Sequence, residues 1–114
     1  MTECVGTFLK VVPKVWGREI WLVNEPEYCC KLLEINKGAS GSLHYHSLKK
    51  ETFILAQGKI KLEYGDKTVK LSVGYITIPP ELPHRFTGLK QSAILEISTH
   101  HDDTDVVRIE ESKA

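Results

Sequence analysis

Short runs of β-branched and aromatic residues, separated by turn signals, recur along most of the chain. Runs of this kind are typical of strands. Residues 59–64 alternate polar and apolar side chains, which predicts one solvent-facing and one buried face. A helix is considered only for a segment around 103–110. The nine predicted strands are 19–23, 28–36, 42–46, 52–57, 59–64, 67–71, 75–78, 84–87 and 93–99. This pattern predicts an all-β sandwich or a closed double-sheet barrel.

Composition narrows the classes of partner and compartment. The chain has 114 residues, which fits a single domain, and 15 Lys and Arg residues balance 15 Asp and Glu residues. This neutrality gives no argument for nucleic acid or an anionic membrane, so neither is expected as a partner. No apolar run reaches the roughly 18–20 residues of a membrane span, and the first residues lack signal-peptide features, so a cytoplasmic protein is expected. Cys4, Cys29 and Cys30 form a poor disulfide framework and are predicted to be free thiols.

Histidines and one glutamate carry the chemistry that the sequence predicts. His44 and His46 are two positions apart, so a strand would place both imidazoles on one face. Glu51 opens the next predicted strand, and His84 follows the proline-rich loop 79–83. Three nitrogens and one oxygen that converge inside a barrel suit one divalent ion, and Zn, Mn, Fe, Ni and Co all remain open.

These residues resemble the motifs of the cupin superfamily. The first cupin motif is matched without a gap by Gly38, His44, His46, Glu51 and Gly58. The second motif is matched less closely by residues 74–84, because the chain is one residue shorter there and Glu81 stands where a glycine is usual. The resemblance implies a single-domain cupin double-stranded β-helix, or jelly-roll barrel, over residues 1–114. Its expected parts are an N-terminal arm with the first strands at 1–22, the first motif at 38–58 and the second at 74–88.

A second resemblance covers more of the chain. Segments 13–19, 42–43, 51–53, 78–80, 84–86 and 102–108 are similar to the type II phosphomannose isomerase domain, although its members often carry glutamine where this chain has His44. The resemblance implies a metal-dependent aldose–ketose isomerase of a sugar or sugar phosphate. In cupins the N-terminal arm commonly packs on a second subunit, so a homodimer is expected. Trp16 and Trp21 are expected in the core or at that contact.

Catalytic and substrate-binding candidates follow from the isomerase hypothesis. Glu51 or Glu96 could move the proton between adjacent substrate carbons, but a solvent-facing or paired carboxylate is favoured for Glu96. Arg85 has a guanidinium suited to phosphate, although strand alternation turns it away from His84. Lys49 is a second substrate-binding candidate, but a solvated position in the loop is favoured for it. His100 and His101 are expected at the surface.

Two other functions remain open on the same residues. A metal-dependent dioxygenase or lyase would use the same ligands with a different substrate. A non-catalytic carbohydrate-binding cupin is favoured if the barrel contains no clear base. The fold alone does not separate these hypotheses.

Overall fold

Eleven antiparallel strands form the part of the protein that the computed structural model describes, residues 10–114. The first nine residues of the expected N-terminal arm, including Cys4, lie outside this range. Residues 10–114 contain no helix, and therefore none long and apolar enough to cross a membrane. The strands are β1 (Lys10–Lys14), β2 (Gly17–Asn24), β3 (Cys29–Ile35), β4 (Leu43–Tyr45), β5 (Glu51–Gln57), β6 (Ile60–Tyr64), β7 (Lys67–Leu71), β8 (Tyr75–Ile78), β9 (His84–Gly88), β10 (Ser92–Ser98) and β11 (Val107–Glu110).

The strands are arranged in two sheets. One has six strands in the order β1-β2-β3-β10-β5-β8, and the other has five in the order β11-β4-β9-β6-β7. Neighbours in these sheets are often distant in sequence, because β10 lies between β3 and β5. This confirms the all-β, double-sheet expectation.

Alternation of burial gives each sheet an inner face, most regularly in β3, β9 and β10. In β3 every second residue, from Cys29 to Ile35, is buried, and β10 repeats the pattern. The inner faces enclose an apolar core that includes Ile35, Ile60 and Leu62, which are fully buried. Burial of such side chains stabilises the fold by roughly 1.5–3 kcal/mol each.

Two terminal strands depart from the sequence predictions. β1 was not among the nine strands predicted from the residue pattern, although first strands were expected within residues 1–22; it pairs with β2 along its whole length. The helix considered for 103–110 is wrong, because Val107–Glu110 is a strand that pairs with β4. A short turn precedes it, in which the Asp102 side chain accepts the Thr104 backbone N–H at 2.9 Å. That hydrogen bond would equally suit the start of a helix, so the pairing with β4 is what makes the following segment a strand.

Candidate metal centre and cavity

The four predicted ligands meet between the two sheets. His44 on β4 lies directly opposite His84 on β9 in the strand register. Glu51 begins β5, and His46 lies in the connection between β4 and β5. One ligand atom from each of the four residues lies within 4.8 Å of the others. Residues from both cupin-like motifs therefore form one cluster.

Backbone carbonyl groups fix how the three imidazoles face this cluster. In each ring Nδ1 lies within hydrogen-bond distance of a carbonyl oxygen, so a neutral ring donates from Nδ1 and keeps its Nε2 lone pair. The acceptors are Ser42 for His44 at 3.0 Å, Asp105 for His46 at 2.6 Å and Leu82 for His84 at 2.8 Å. Second-sphere hydrogen bonds of this kind are typical of histidines that bind metals.

The donor set fits a divalent cation. His84 Nε2 lies 2.6 Å from Glu51 Oε1, and both side chains are 2 % exposed. Neither atom has a hydrogen-bond partner of acceptable geometry within residues 10–114. Two buried lone pairs that face each other are unfavourable unless a cation or a proton lies against them. Three imidazole nitrogens and one carboxylate oxygen are ligands for first-row divalent metals.

Electrostatics favour the metal-binding forms of His44, His46 and Glu51, whereas the pKa of His84 is raised, because its contact with Glu51 outweighs the lowering effect of burial. Burial, together with the nearby imidazoles of His84 and His46, lowers the pKa of His44 to about 3. Burial alone would raise the pKa of Glu51, but the contact with His84 and the charge of Lys49 lower it. A neutral imidazole and an ionised carboxylate are the states that bind a metal.

Lys49 occupies the interior, and the expectation of a solvated loop position is wrong for it. Its side chain is 3 % exposed, and Nζ lies 2.8 Å from Glu96 Oε2 and 3.4 Å from Glu51 Oε2. These two carboxylates raise its pKa, against the lowering effect of burial. Lys50, the next residue, is exposed. The loop between the ligand candidates therefore places the ammonium group of Lys49 beside them and exposes the side chain of Lys50 to solvent.

Glu96 lies on the inner face of β10, in the same alternating series as Ile94 and Ser98. It is 5 % exposed and lines a cavity of about 320 Å³ that His44, His46 and Glu51 also line. The barrel thus contains a second buried carboxylate beside the metal cluster.

Arg85 lies outside this cavity. Its guanidinium is 2.8 Å from Glu63 Oε2 on β6 and 3.5 Å from Glu110 Oε1 on β11. Strand alternation turns it away from the buried His84 and Phe86. These contacts link three strands of the five-stranded sheet on its outer face.

His101 lines the cavity, so the expectation that it lies at the surface is wrong. Its Nδ1 lies 3.2 Å from Lys49 Nζ, and its Nε2 lies 2.8 Å from Asp103 Oδ1. The neighbouring His100 is exposed, as expected. Because Asp103 holds the Nε2 proton, the Nδ1 lone pair of a neutral His101 can accept from the Lys49 ammonium.

Asp105 supports the ligand loop and was not singled out from the sequence. Its carboxylate accepts backbone N–H groups of three successive residues, at 2.8 Å from Ser47, 3.2 Å from Leu48 and 3.0 Å from Lys49. Its carbonyl also accepts from His46. The only sequence signal was its place in the acidic segment 102–108.

Both tryptophans lie in the wall of the cavity. Trp16 packs edge-on against Phe86 at 4.9 Å between ring centroids, in the core as expected. Trp21 lies between two ammonium groups, at 4.0 Å from Lys10 Nζ and 4.1 Å from Lys31 Nζ. Lys31 is 2 % exposed and has its pKa lowered by burial. Cation–π contacts of this kind partly offset the cost of burying an ammonium group.

Comparison with solved structures identifies the fold. KdgF from Halomonas sp. is 19 % identical over 76 % of this chain and 81 % of its own, with a TM-score of 0.72. An RmlC-like cupin from Shewanella frigidimarina is 14 % identical over 83 % and 86 %, with a TM-score of 0.76. Pac13, a nucleoside dehydratase from Streptomyces, is 10 % identical over 90 % and 85 %, with a TM-score of 0.78. The chain spans about a third of the CapF and oxalate decarboxylase chains that it also matches.

Sequence comparison identifies the family. No curated protein matches the chain. The cupin domain model matches residues 31–98, which run from within β3 to the end of β10 and include all four candidate ligands. Because this match spans more than half of the chain, the protein belongs to the cupin domain family.

Proposed function

We propose that this cupin is a metal-dependent enzyme that interconverts an aldose and a ketose, acting on a sugar or a sugar phosphate. The observation that carries the proposal is the buried pair of Glu96 and Lys49, 2.8 Å apart and lining the same cavity as three of the metal-ligand candidates. A non-catalytic carbohydrate-binding cupin gives no reason to bury a carboxylate and an ammonium group there, since their desolvation is costly.

Isomerisation requires a base that moves a proton between adjacent carbons and a positive group beside the oxygen that gains charge. When bound, a divalent ion would supply a Lewis acid for the substrate carbonyl. Glu51 has one oxygen directed at His84 and the other at Lys49. Glu96 contacts Lys49 through Oε2 and is not one of the four clustered ligand candidates, so its carboxylate is not needed to hold a metal. Glu96 is therefore the better candidate for the proton shuttle, and Lys49 is the candidate to stabilise the developing oxyanion.

The walls of the cavity are compatible with an anionic carbohydrate. Five Lys or Arg side chains and four Asp or Glu side chains line it, so a bound divalent ion would leave the cavity cationic. A cationic cleft attracts anionic substrates. Trp16 and Trp21 offer aromatic surface for the apolar face of a sugar ring. The resemblance to the type II phosphomannose isomerase domain supports the same substrate class.

A lyase is the second candidate. Elimination of water or of another group next to a carbonyl also begins with proton abstraction, so Glu96 would have the same role. The structural likeness to Pac13, which is a nucleoside dehydratase, is the reason for considering this reaction. The two candidates differ in whether substrate and product are isomers or differ by a lost molecule.

The test is an NMR assay in deuterated water. Protein loaded separately with each of the five metals is incubated with mannose, fructose, lyxose and their phosphates. The proposal predicts an isomer that carries solvent deuterium, at C2 where an aldose forms from fructose and at C1 where a ketose forms from mannose or lyxose. Glu96→Gln should retain the metal and lose at least about 100-fold in turnover, the usual contribution of a general base. Glu63→Gln, which changes a carboxylate on the outer face, should keep the parent rate.

Other outcomes of the same assay would contradict isomerisation. A dehydrated product would favour the lyase. Oxygen uptake with an iron-loaded protein, without isomer formation, would favour a dioxygenase. Saturable binding of a sugar without turnover under any metal would leave a carbohydrate-binding protein.

A further inference from the structure

Three ammonium groups and one carboxylate line the end of the cavity that β1, β2 and β3 form. Every second residue of β1 faces the cavity, so this edge strand contributes Lys10 and Lys14. Glu19 on β2 and Lys31 on β3 complete the set. We call these four residues the lysine cluster. None of them belongs to the group of four metal-ligand candidates, so the cluster is available for another ligand.

Lys31 is buried without a close anionic partner. Its side chain is 2 % exposed, and among residues 10–114 only Glu19 places a carboxylate oxygen within 4 Å of its Nζ, at 3.9 Å. That separation is longer than the roughly 2.8 Å of a charge-assisted hydrogen bond. The Trp21 ring, 4.1 Å from Nζ, offsets only part of the cost of removing the ammonium group from water. An anion bound in the cavity would supply the missing acceptor.

Glu19 does not neutralise the lysine cluster. Its Oε2 lies 3.9 Å from Lys14 Nζ, and its Oε1 accepts the indole N–H of Trp21 at 3.0 Å. Lys10 contacts the Trp21 ring at 4.0 Å and forms no ion pair with any residue of the range 10–114. Three ammonium groups and one carboxylate therefore leave an excess of two positive charges at this end of the cavity.

Two other acids near the lysine cluster do not remove this excess. Glu96 is paired with Lys49, with Oε2 at 2.8 Å from Nζ. The side chain of Asp103 is 81 % exposed, so solvent screens much of its charge. Both carboxylates line the cavity, but neither lies within 4 Å of the Lys31 ammonium group.

The two residues for which the sequence predicts substrate binding do not provide a free positive charge. Arg85 lies on the outer face of its sheet, where its guanidinium is paired with Glu63 at 2.8 Å. Lys49 lies between two buried carboxylates, those of Glu96 and Glu51. The lysine cluster, in contrast, combines an excess of ammonium groups with a place in the cavity wall.

Strand register places the lysine cluster beside the candidate base. Lys31 is the cross-strand partner of Glu96 on one side and of Trp21 on the other, and Trp21 pairs with Lys10. Adjacent strands are about 4.8 Å apart, so the backbone of the cluster lies about 5–14 Å from that of Glu96. A hexose phosphate carries its phosphate several bonds away from C1 and C2, so one molecule spans both places.

We propose that the lysine cluster binds the phosphate group of the substrate, with Lys10, Lys14 and Lys31 as the cationic contacts. A phosphate monoester carries about −1.5 to −2 charges at pH 7, which matches the excess of two positive charges. Trp21 lies between two of the ammonium groups and holds them apart for the anion. This assignment rests on the proposed function, because it names the charged end of the molecule that the isomerase converts.

Calorimetric titration of the full chain without added metal tests the phosphate site, because it needs neither turnover nor a metal ion. Inorganic phosphate and mannose 6-phosphate are the ligands, and mannose and glucuronate are the comparisons. Lys31→Met should weaken binding of both phosphates at least about tenfold, the loss expected for one charge-assisted hydrogen bond. Lys10→Met, at an exposed position, is a second variant that keeps the test valid if Lys31→Met does not fold. Lys70→Met, exposed on β7 of the other sheet, is the control and should bind as the parent does.

A kinetic measurement separates this inference from the isomerase proposal. In Lys31→Met the preference for mannose 6-phosphate over mannose, measured as a ratio of kcat/KM values, should fall about tenfold. Phosphate binding that depends on Lys31, without turnover of any sugar, would support the phosphate site and contradict the isomerase. Equal phosphate affinity in the parent and in folded Lys31→Met and Lys10→Met variants would overturn the phosphate site, even if isomerisation is observed. Tighter binding of glucuronate than of mannose 6-phosphate would overturn it as well, since the cluster would then select a carboxylate.

Discussion

Replacement of Lys49 by methionine tests whether its ammonium group holds two buried carboxylates in place. The side chains of Lys49, Glu51 and Glu96 are 3 %, 2 % and 7 % exposed. Methionine keeps most of the volume of the stem but leaves both carboxylates without their cation. Loss of one partner from a buried ion pair costs about 3–5 kcal/mol. In a domain of this size that corresponds to a fall in Tm of about 12 °C or more.

The assay is thermal and urea unfolding of the metal-free protein. Lys50→Met is the control, because Lys50 is adjacent and exposed, and its loss should stay within about 0.5 kcal/mol of the parent. Glu96→Gln combined with Lys49→Met should recover part of the loss, since one of the two unpaired charges is then removed. Saturation with a divalent ion should reduce the loss as well, because Glu51 regains a cation. Equal unfolding midpoints for Lys49→Met and Lys50→Met would refute the buried position of Lys49.

Three further predictions follow from the backbone and from titration. Glu81 has φ of 70°, which costs a non-glycine residue about 1–2 kcal/mol. Glycine adopts this φ without strain, and the entropy that it adds to the unfolded chain offsets only part of that gain. Glu81→Gly should therefore raise the Tm in a thermal melt, and a lower Tm would contradict the strain. Gly58→Ala should destabilise the protein by about 2 kcal/mol or more, because its Cβ would lie 2.4 Å from Ser92 Oγ at φ of 89°. Gly74→Ala is the control, since φ is 108° there and the space is open, so it measures the backbone cost alone. Equal losses of stability in the two variants would contradict the clash. The pKa of His44 is about 3 in the folded protein and about 6.5 in the unfolded chain. Its contribution to the free energy of unfolding is therefore complete above pH 6.5 and falls as the pH decreases. Metal-free protein should therefore lose about 2 kcal/mol from this group between pH 6.5 and pH 5 in urea unfolding, and a His44→Gln variant with the same pH slope would contradict it.

The fold and the convergence of the four ligand candidates could be predicted because their signals are local. Two histidines two positions apart on a strand face the same way whatever the rest of the chain does. The shortened second motif left the geometry of its loop open. The structure gives Glu81 the positive φ that explains why a glycine is usual there, and its N–H donates to the His46 carbonyl at 2.6 Å.

The surroundings of the cluster could not be predicted because they depend on contacts between distant segments. Lys49 lies in the interior between two carboxylates, and the nearer of them belongs to Glu96, on a strand much later in the chain. His101 and Asp105 reach the ligand loop from more than fifty residues away. β11 likewise exists as a strand because it pairs with β4, and the segment 103–110 has no local pattern that reveals this partner.

The most direct test of the central claim is the metal content of the purified chain. Metal-free protein would be incubated with Mn²⁺, Fe²⁺, Co²⁺, Ni²⁺ or Zn²⁺, freed of unbound ions and analysed by elemental mass spectrometry. Convergence of His44, His46, Glu51 and His84 predicts one ion per chain for at least one of these metals, and loss of that ion in His46→Ala. No retained metal under any condition, or equal retention by His46→Ala, would contradict a metal centre at this cluster.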